Sequence, residues 1–329
     1  MTELVHSPSK NKSRIELIDA ARGFALIAMA IYHFAWDLEF FGYATPGMTA
    51  VGGWRLFARS IASSFLFLVG FSLLLAHVRG VRWRPFWWRM LQVGGAAAAI
   101  TIVTYFATPD AFIFFGILHH IALASLVGLL FLRLPAVALV LIAVGVIALP
   151  ALWRSDIFNG MALAWTGFAA VNPRSNDFVP LFPWFGAVLL GMAAAKFARN
   201  SGWTERAAGK PLPRWTRPLQ FAGQHSLAVY LLHQPVLIGL IFLASLVVPP
   251  QAEEPRVGFQ RACEAQCVDT RDGAFCEAYC GCVIAEIDGD ARAGEIYTGA
   301  PSQGATAWLG DVATQCSIAT DMDMPGEAE

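Results

Sequence analysis

The chain has 329 residues, 56% of them hydrophobic and 14% charged, with a formal net charge of −1. Its mean hydropathy is +0.53, which is the composition of a membrane protein and not of a soluble core. With 23 basic residues against 24 acidic ones there is no bulk charge to attract a nucleic acid, so that class of partner is set aside.

Residues 1–13 are polar and lack the apolar run of a cleavable signal peptide, so they read as a short cytoplasmic tail. Windows of about 20 apolar residues then mark about seven spans, at 15–40, 56–76, 86–107, 112–132, 134–153, 178–198 and 225–248. The fold class is all-α, a polytopic helical membrane bundle. Lys10, Lys12 and Arg14, the segment 77–89, Arg133 and the segment 196–217 hold most of the basic charge. With seven spans these regions share one side, which the positive-inside rule makes the cytoplasm. The opposite side receives 41–55, the turn at Pro109 and Asp110, the loop 154–177 and the C-terminal tail. In that loop, MALAWTGFAAV is apolar but too short to cross. It either lies at the interface or folds back as a cover.

The first span, from Arg14 to Gly42, carries Asp19, Arg22, His33 and Asp37 inside an apolar run. Ionisable groups inside a span are costly and so are functional candidates. On a helix, Arg22 and His33 lie roughly 16 Å apart along the axis and nearly on one face. His33 and Asp37, at i and i+4, stack on one face, where a carboxylate orients the imidazole. Asp19 and Arg22, at i and i+3, form an intrahelical pair.

After Pro249-Pro250 the composition changes. Residues 251–329 are acidic and Gly-rich, have no span and hold all six cysteines. RACEAQCVDTRDGAFCEAYCGCVIAEI reads as two short helices joined at Asp272-Gly273, each with a C-x-x-x-C pair. Such pairs form either a disulfide-stapled helical hairpin or a thiolate zinc site. An odd span count places the tail outside the cytoplasm, where disulfides persist. The expected pairing takes Cys263 and Cys267 across to Cys280 and Cys276 and leaves Cys282 for Cys316. No metal is expected. The final residues, MDMPGEAE, read as disordered.

RIELIDAARGFALIAMAIYHFAWDLEFFG in the first span, FGILHHIAL from Phe115, FVPLFPWFG from Phe178 and HSLAVYLLHQP from His225 occur in this order. The first string, ID-x-x-RG-x-A with a histidine spaced after its arginine, resembles the first span of the membrane acyltransferases that O-acetylate bacterial polysaccharides. Together the four strings resemble the bacterial relatives of heparan-alpha-glucosaminide N-acetyltransferase over roughly residues 14–248. The resemblance implies acyl transfer from acetyl coenzyme A. It also implies a departure: animal members carry asparagine where His33 falls and place a histidine in the following loop, whereas Tyr43 to Trp54 contains none.

Each candidate has a structural reading beside the functional one. His33 is the candidate general base or acyl-accepting nucleophile, against a packing histidine. Asp37 holds its tautomer or caps the span. Arg22 contacts a coenzyme A phosphate, or anchors the span by pairing with Asp19. His119 and His120 point about 100° apart on a helix; one lines a donor tunnel, or both hydrogen-bond between helices. Arg59 meets a phosphate or carboxylate partner, or snorkels to the surface. The arginines of 79–89 attract phosphates or merely set topology. His233 and Gln234 read as polar lining or interhelical contacts. Tryptophans near span ends, such as Trp83, Trp87 and Trp88, form an aromatic belt.

The sequence thus points to a transmembrane acetyltransferase of the bacterial inner membrane, with a 14–248 catalytic region and a periplasmic tail at 251–329. The acceptor is a sugar amine or hydroxyl of an envelope glycan or lipid-linked saccharide, and a homo-oligomer is compatible with the chain. The rival readings are a transporter or assembly protein with a polar path, and a bis-histidine haem protein.

Overall fold

The computed structural model describes residues 15–45, 47–208, 210–250, 254–268, 270–299 and 301–323. The N-terminal tail with Lys10, Lys12 and Arg14, and the end of MDMPGEAE from Met324, lie outside the described residues. Those residues form helices throughout: α1 Glu16–Phe40, α2 Gly52–His77, α3 Trp83–Ala107, α4 Ile117–Phe131, α5 Ala136–Leu152, α6 Met161–Ala164, α7 Leu181–Asn200, α8 Trp203–Ala208, α9 Arg217–Gln224, α10 Ser226–Val247, α11 Pro255–Cys267, α12 Gly273–Asp288, α13 Ala293–Tyr297 and α14 Gln303–Asp323. Five of them, α1, α2, α3, α7 and α10, are long and apolar enough to cross a membrane, and α4 and α5 are shorter apolar helices. These seven match the seven apolar windows, and the chain is an integral membrane protein.

By packing, the described residues form two compact units. One comprises 15–31 and 56–235, and the other 32–55 and 236–323.

In the first unit α7 is the central helix. Its Val188, Leu189, Met192 and Ala195 are fully buried against Leu66, Phe71 and Leu73 of α2, Ala124 of α4, and Leu139 and Ala143 of α5. Apolar burial is a weak drive between helices in lipid, so small residues that admit close contact matter more. A Cβ on Gly70 would overlap the Val188 carbonyl, and one on Gly191 would overlap the Phe67 carbonyl. The α2 and α7 backbones therefore touch through reciprocal glycines. Helix α9 meets α1 in the same way, since Gly23 abuts the backbone of Leu219 and Gly223 the carbonyl of Asp19.

The basic segments gather at one end of this unit. Lys196 Nζ of α7 donates to the Leu132 carbonyl at the α4–α5 turn (2.9 Å). The Leu212 N–H donates to Glu16 at the start of α1 (2.9 Å). Trp203 of α8 packs edge-on against Phe71 near the end of α2.

Elsewhere in the unit, the loop 154–180 folds back instead of lying free. Its Asn176 and Val179 N–H groups donate to the carbonyls of Ala111 and Phe115, and Leu181 and Phe182 donate to Trp165 and Thr166. MALAWTGFAAV supplies the short α6 and packs Phe168 onto Phe182, Trp153 and Phe158.

Helix α4 starts at Ile117, although the apolar window opens at 112. The intervening backbone is taken by other partners. Ile113 accepts from the Thr101 hydroxyl (2.6 Å) and donates to Thr104 Oγ1 (3.0 Å), while Phe115 accepts from Val179.

In the second unit, the three disulfides are Cys263–Cys280, Cys267–Cys276 and Cys282–Cys316, which is the expected pairing. All six cysteines are engaged, so no thiolate remains for a metal. Helices α11 and α12 form the stapled hairpin, and the Asp272 side chain caps α12 through the Phe275 N–H (2.9 Å). Helices α13 and α14 complete a small core of Val283, Ile287, Ile296, Ala305 and Val312. Arg256 bridges to Asp288 (2.7 Å), which also accepts from the Tyr297 hydroxyl (2.6 Å).

Candidate functional site

A cavity of about 160 Å³ opens at the basic end of the first unit, between α2, α3 and α4. Arg82 and Arg89 line it with His77, Ser72 and the buried Ser125, over an apolar floor of Val69, Phe86 and Ile121. Behind it, Arg22 Nη2 donates to Ser72 Oγ (2.5 Å), and Nη1 holds Asp19 at 3.4 Å. The i, i+3 pair expected on α1 is thus present, and Arg22 connects that pair to the cavity wall. His77 Nδ1 donates to the Leu73 carbonyl (2.9 Å), which fixes the ring at the end of α2. Two guanidinium groups and two hydroxyls around one small hollow suit an anion with several oxygens, such as a phosphate.

The start of α4 is a second polar cluster in the same unit. The Gly116 N–H donates to His119 Nδ1 (3.2 Å), so the ring proton sits on Nε2, which donates to Thr101 Oγ1 (3.1 Å). Both nitrogens of His119 are engaged in starting the helix. His120 is fully buried, and its Nδ1 pairs with the Val179 carbonyl (3.2 Å). A carbonyl can only accept, so that nitrogen carries the proton and Nε2 keeps its lone pair. His120 Nε2 has no hydrogen-bond partner among the described residues. Asp177 lies half-buried at the helix start and accepts from the Ile117 N–H (2.8 Å). Burial pushes its carboxyl up to about 6, and the Ile117 bond offsets only part of that rise. Arg59 is exposed near the start of α2.

In the second unit, α1 presents His33 half-buried and Asp37 fully buried one turn later. The Tyr32 ring packs edge-on against His33, with centroids 5.7 Å apart. Glu39 binds the following loop, accepting from the Gly47 N–H (2.5 Å), the Thr49 N–H (3.0 Å) and the Thr49 hydroxyl (2.8 Å). The Tyr32 hydroxyl adds a 3.4 Å bond to the Thr49 carbonyl. His233, in α10 of the first unit, donates from Nδ1 to the Tyr230 carbonyl (2.6 Å).

Arg22, Ser72 and the cavity arginines therefore belong together, as do His119, His120 and Asp177 around one helix start. His33 and Asp37 form a third group. Sequence reasoning missed Ser72, Ser125 and His77, which carry no signal beyond their polarity within or beside an apolar run. It also missed Asp177, the one carboxylate directly before FVPLFPWFG, and Glu39, whose ligands are backbone groups of the next loop.

These features define an integral membrane protein of several helical spans with an anion-suited cavity at its basic end. The catalytic-domain profile of heparan-alpha-glucosaminide N-acetyltransferase matches residues 14–235, and the chain belongs to that family. Membership makes it a membrane-bound acyltransferase, in a family whose transferases use acetyl coenzyme A. No curated protein and no solved structure gives a match.

Proposed function

We propose that the protein transfers an acetyl group from cytoplasmic acetyl coenzyme A to a hydroxyl or amine of an envelope glycan or lipid-linked saccharide. The observation that carries this reading is the fully buried Asp37 one turn beyond His33 on an apolar helix. A carboxylate in that setting is costly and has a use when it orients an imidazole and favours its protonated form. His33 is the general base. The acceptor oxygen or nitrogen attacks the thioester carbonyl carbon and passes its proton to His33. The C–S bond breaks, and the coenzyme leaves as a thiolate that recovers a proton.

Arg82 and Arg89, with Ser72 and Ser125, hold a phosphate of the donor, and Arg22 braces Ser72 from behind. At about 160 Å³ the cavity is well below the roughly 300–1,000 Å³ that encloses a whole ligand, so it grips one phosphate group of the coenzyme. His120 Nε2 accepts an N–H of the donor's pantetheine arm, while His119 keeps the structural role of starting α4. The gathering of basic segments at one end supports a bacterial inner-membrane orientation with that end cytoplasmic and the stapled tail periplasmic.

The test is acetyl transfer by purified protein from radiolabelled acetyl coenzyme A to a hydrolysed envelope extract. His33→Ala is expected to lower turnover by about 100-fold or more while leaving donor binding intact. Wild-type turnover in that variant would remove His33 from the mechanism.

A further inference from the structure

The family match stops at residue 235, and the stapled tail lies beyond it. Yet the compact unit that holds the tail also takes in residues 32–55, the stretch with His33 and Asp37. The contacts inside that unit run in a continuous line. Cys263 and Cys267 fasten α11 to α12 on both sides of Ala265. Ala265 faces Gly47, where an added Cβ would stand 3.9 Å from its side chain, and Pro250 faces Gly42 in the same way. The Tyr43 hydroxyl donates to the Val248 carbonyl. From the other side, Glu39 and Tyr32 bind the loop at Gly47 and Thr49. Tyr32 and Glu39 flank His33 and Asp37 on α1 and belong to the same helical turns.

We propose that the disulfide-bonded module is a positioning element of acyl transfer: it holds the loop 42–50 against the end of α1 and so fixes His33 and Asp37 in place. This rests on the reading of His33 as the base. Gly42 and Gly47 both adopt left-handed backbone angles (φ 79° and 78°), and α1 meets the loop through Tyr32, Glu39 and the Leu38 and Glu39 carbonyls, which accept from the Tyr43 and Gly42 N–H groups. A stapled support lowers the number of arrangements open to such a loop, which is how preorganisation acts on a site.

The experiment uses the full-length protein in detergent and reads two quantities, hydrogen exchange at the Gly47 and Thr49 amides and the kcat for acetyl transfer. A dithiol reductant opens the cystines, each taking up two electrons and two protons while the reagent closes to its cyclic disulfide. Ala265→Arg disturbs the face toward Gly47 with the cystines intact, and Ile318→Arg, on an exposed side of α14, is the control. Reduction and Ala265→Arg are expected to speed exchange at both amides by about tenfold or more and to lower kcat with little change in donor KM. Ile318→Arg is expected to leave exchange and kcat unchanged. Unchanged exchange on reduction and in Ala265→Arg, or equal acceleration in Ile318→Arg, overturns the support role. Faster exchange with unaltered kcat keeps the loop support but overturns its role in positioning His33, whereas wild-type turnover in His33→Ala overturns the base itself.

Discussion

Asp177→Asn isolates one half-buried carboxyl. The folded protein holds the Asp177 carboxyl at about 6 against an ordinary value of 3.8. A raised acid opposes folding wherever the unfolded chain has already lost its proton, so the cost grows as pH climbs from 3.8 and levels off above 6. Linkage gives about 3 kcal/mol at pH 7.5 and about 1 kcal/mol at pH 4.5. Asparagine keeps an oxygen for the Ile117 N–H and removes the charge. It exchanges a charge-assisted bond for a neutral one, a loss of about 1 kcal/mol. The variant should therefore gain about 2 kcal/mol at pH 7.5 and nothing at pH 4.5. Thermal unfolding of both proteins in mild detergent at pH 4.5, 6.0 and 7.5 measures the difference. An Asn variant that is less stable at pH 7.5, or a gap that ignores pH, would refute the argument that burial dominates at this carboxyl.

Gly70→Ala puts a methyl into the Val188 carbonyl and should cost about 1–3 kcal/mol or more. Gly94→Ala, which meets nothing within 4 Å, should stay within about 0.5 kcal/mol; melting in detergent compares the two. Arg82→Ala and Arg89→Ala should each weaken acetyl coenzyme A binding about tenfold, and added salt should shrink that penalty, as titration calorimetry at two ionic strengths would show. Losing Cys282–Cys316, which closes 34 residues, should destabilise the tail by about 4 kcal/mol, and losing Cys267–Cys276, which closes 9, by about 2.5 kcal/mol. Denaturant unfolding of serine pairs would show that order.

The seven apolar windows were legible because hydropathy follows directly from side-chain type. Asp19 with Arg22 was legible because helical spacing is local, and the cystine pairing because two C-x-x-x-C faces can meet in few ways. The true start of α4 was hidden. Phe112 to Phe115 are as apolar as a span, and the hydroxyls of Thr101 and Thr104 and the Val179 N–H take up their backbone groups and keep them out of the helix. Helix α14 was missed because its Ala, Thr and Gly residues give a faint apolar stripe, and its burial depends on α12. The cavity at Arg82 and Arg89 was half visible, since charge at a span end already follows from orientation, and the hydroxyls that turn it into a pocket come from two other helices.

The place of α7 in the bundle also bears on how the chain is made. The surfaces of α2, α4 and α5 that pack on α7 await residues 181–200, which the ribosome delivers only after those three helices have emerged. Until then the Gly70 groove stands empty and faces lipid. Assembly must therefore be a late closure around one incoming segment, and a nascent chain stalled before Asn200 should be an easy target for membrane proteases.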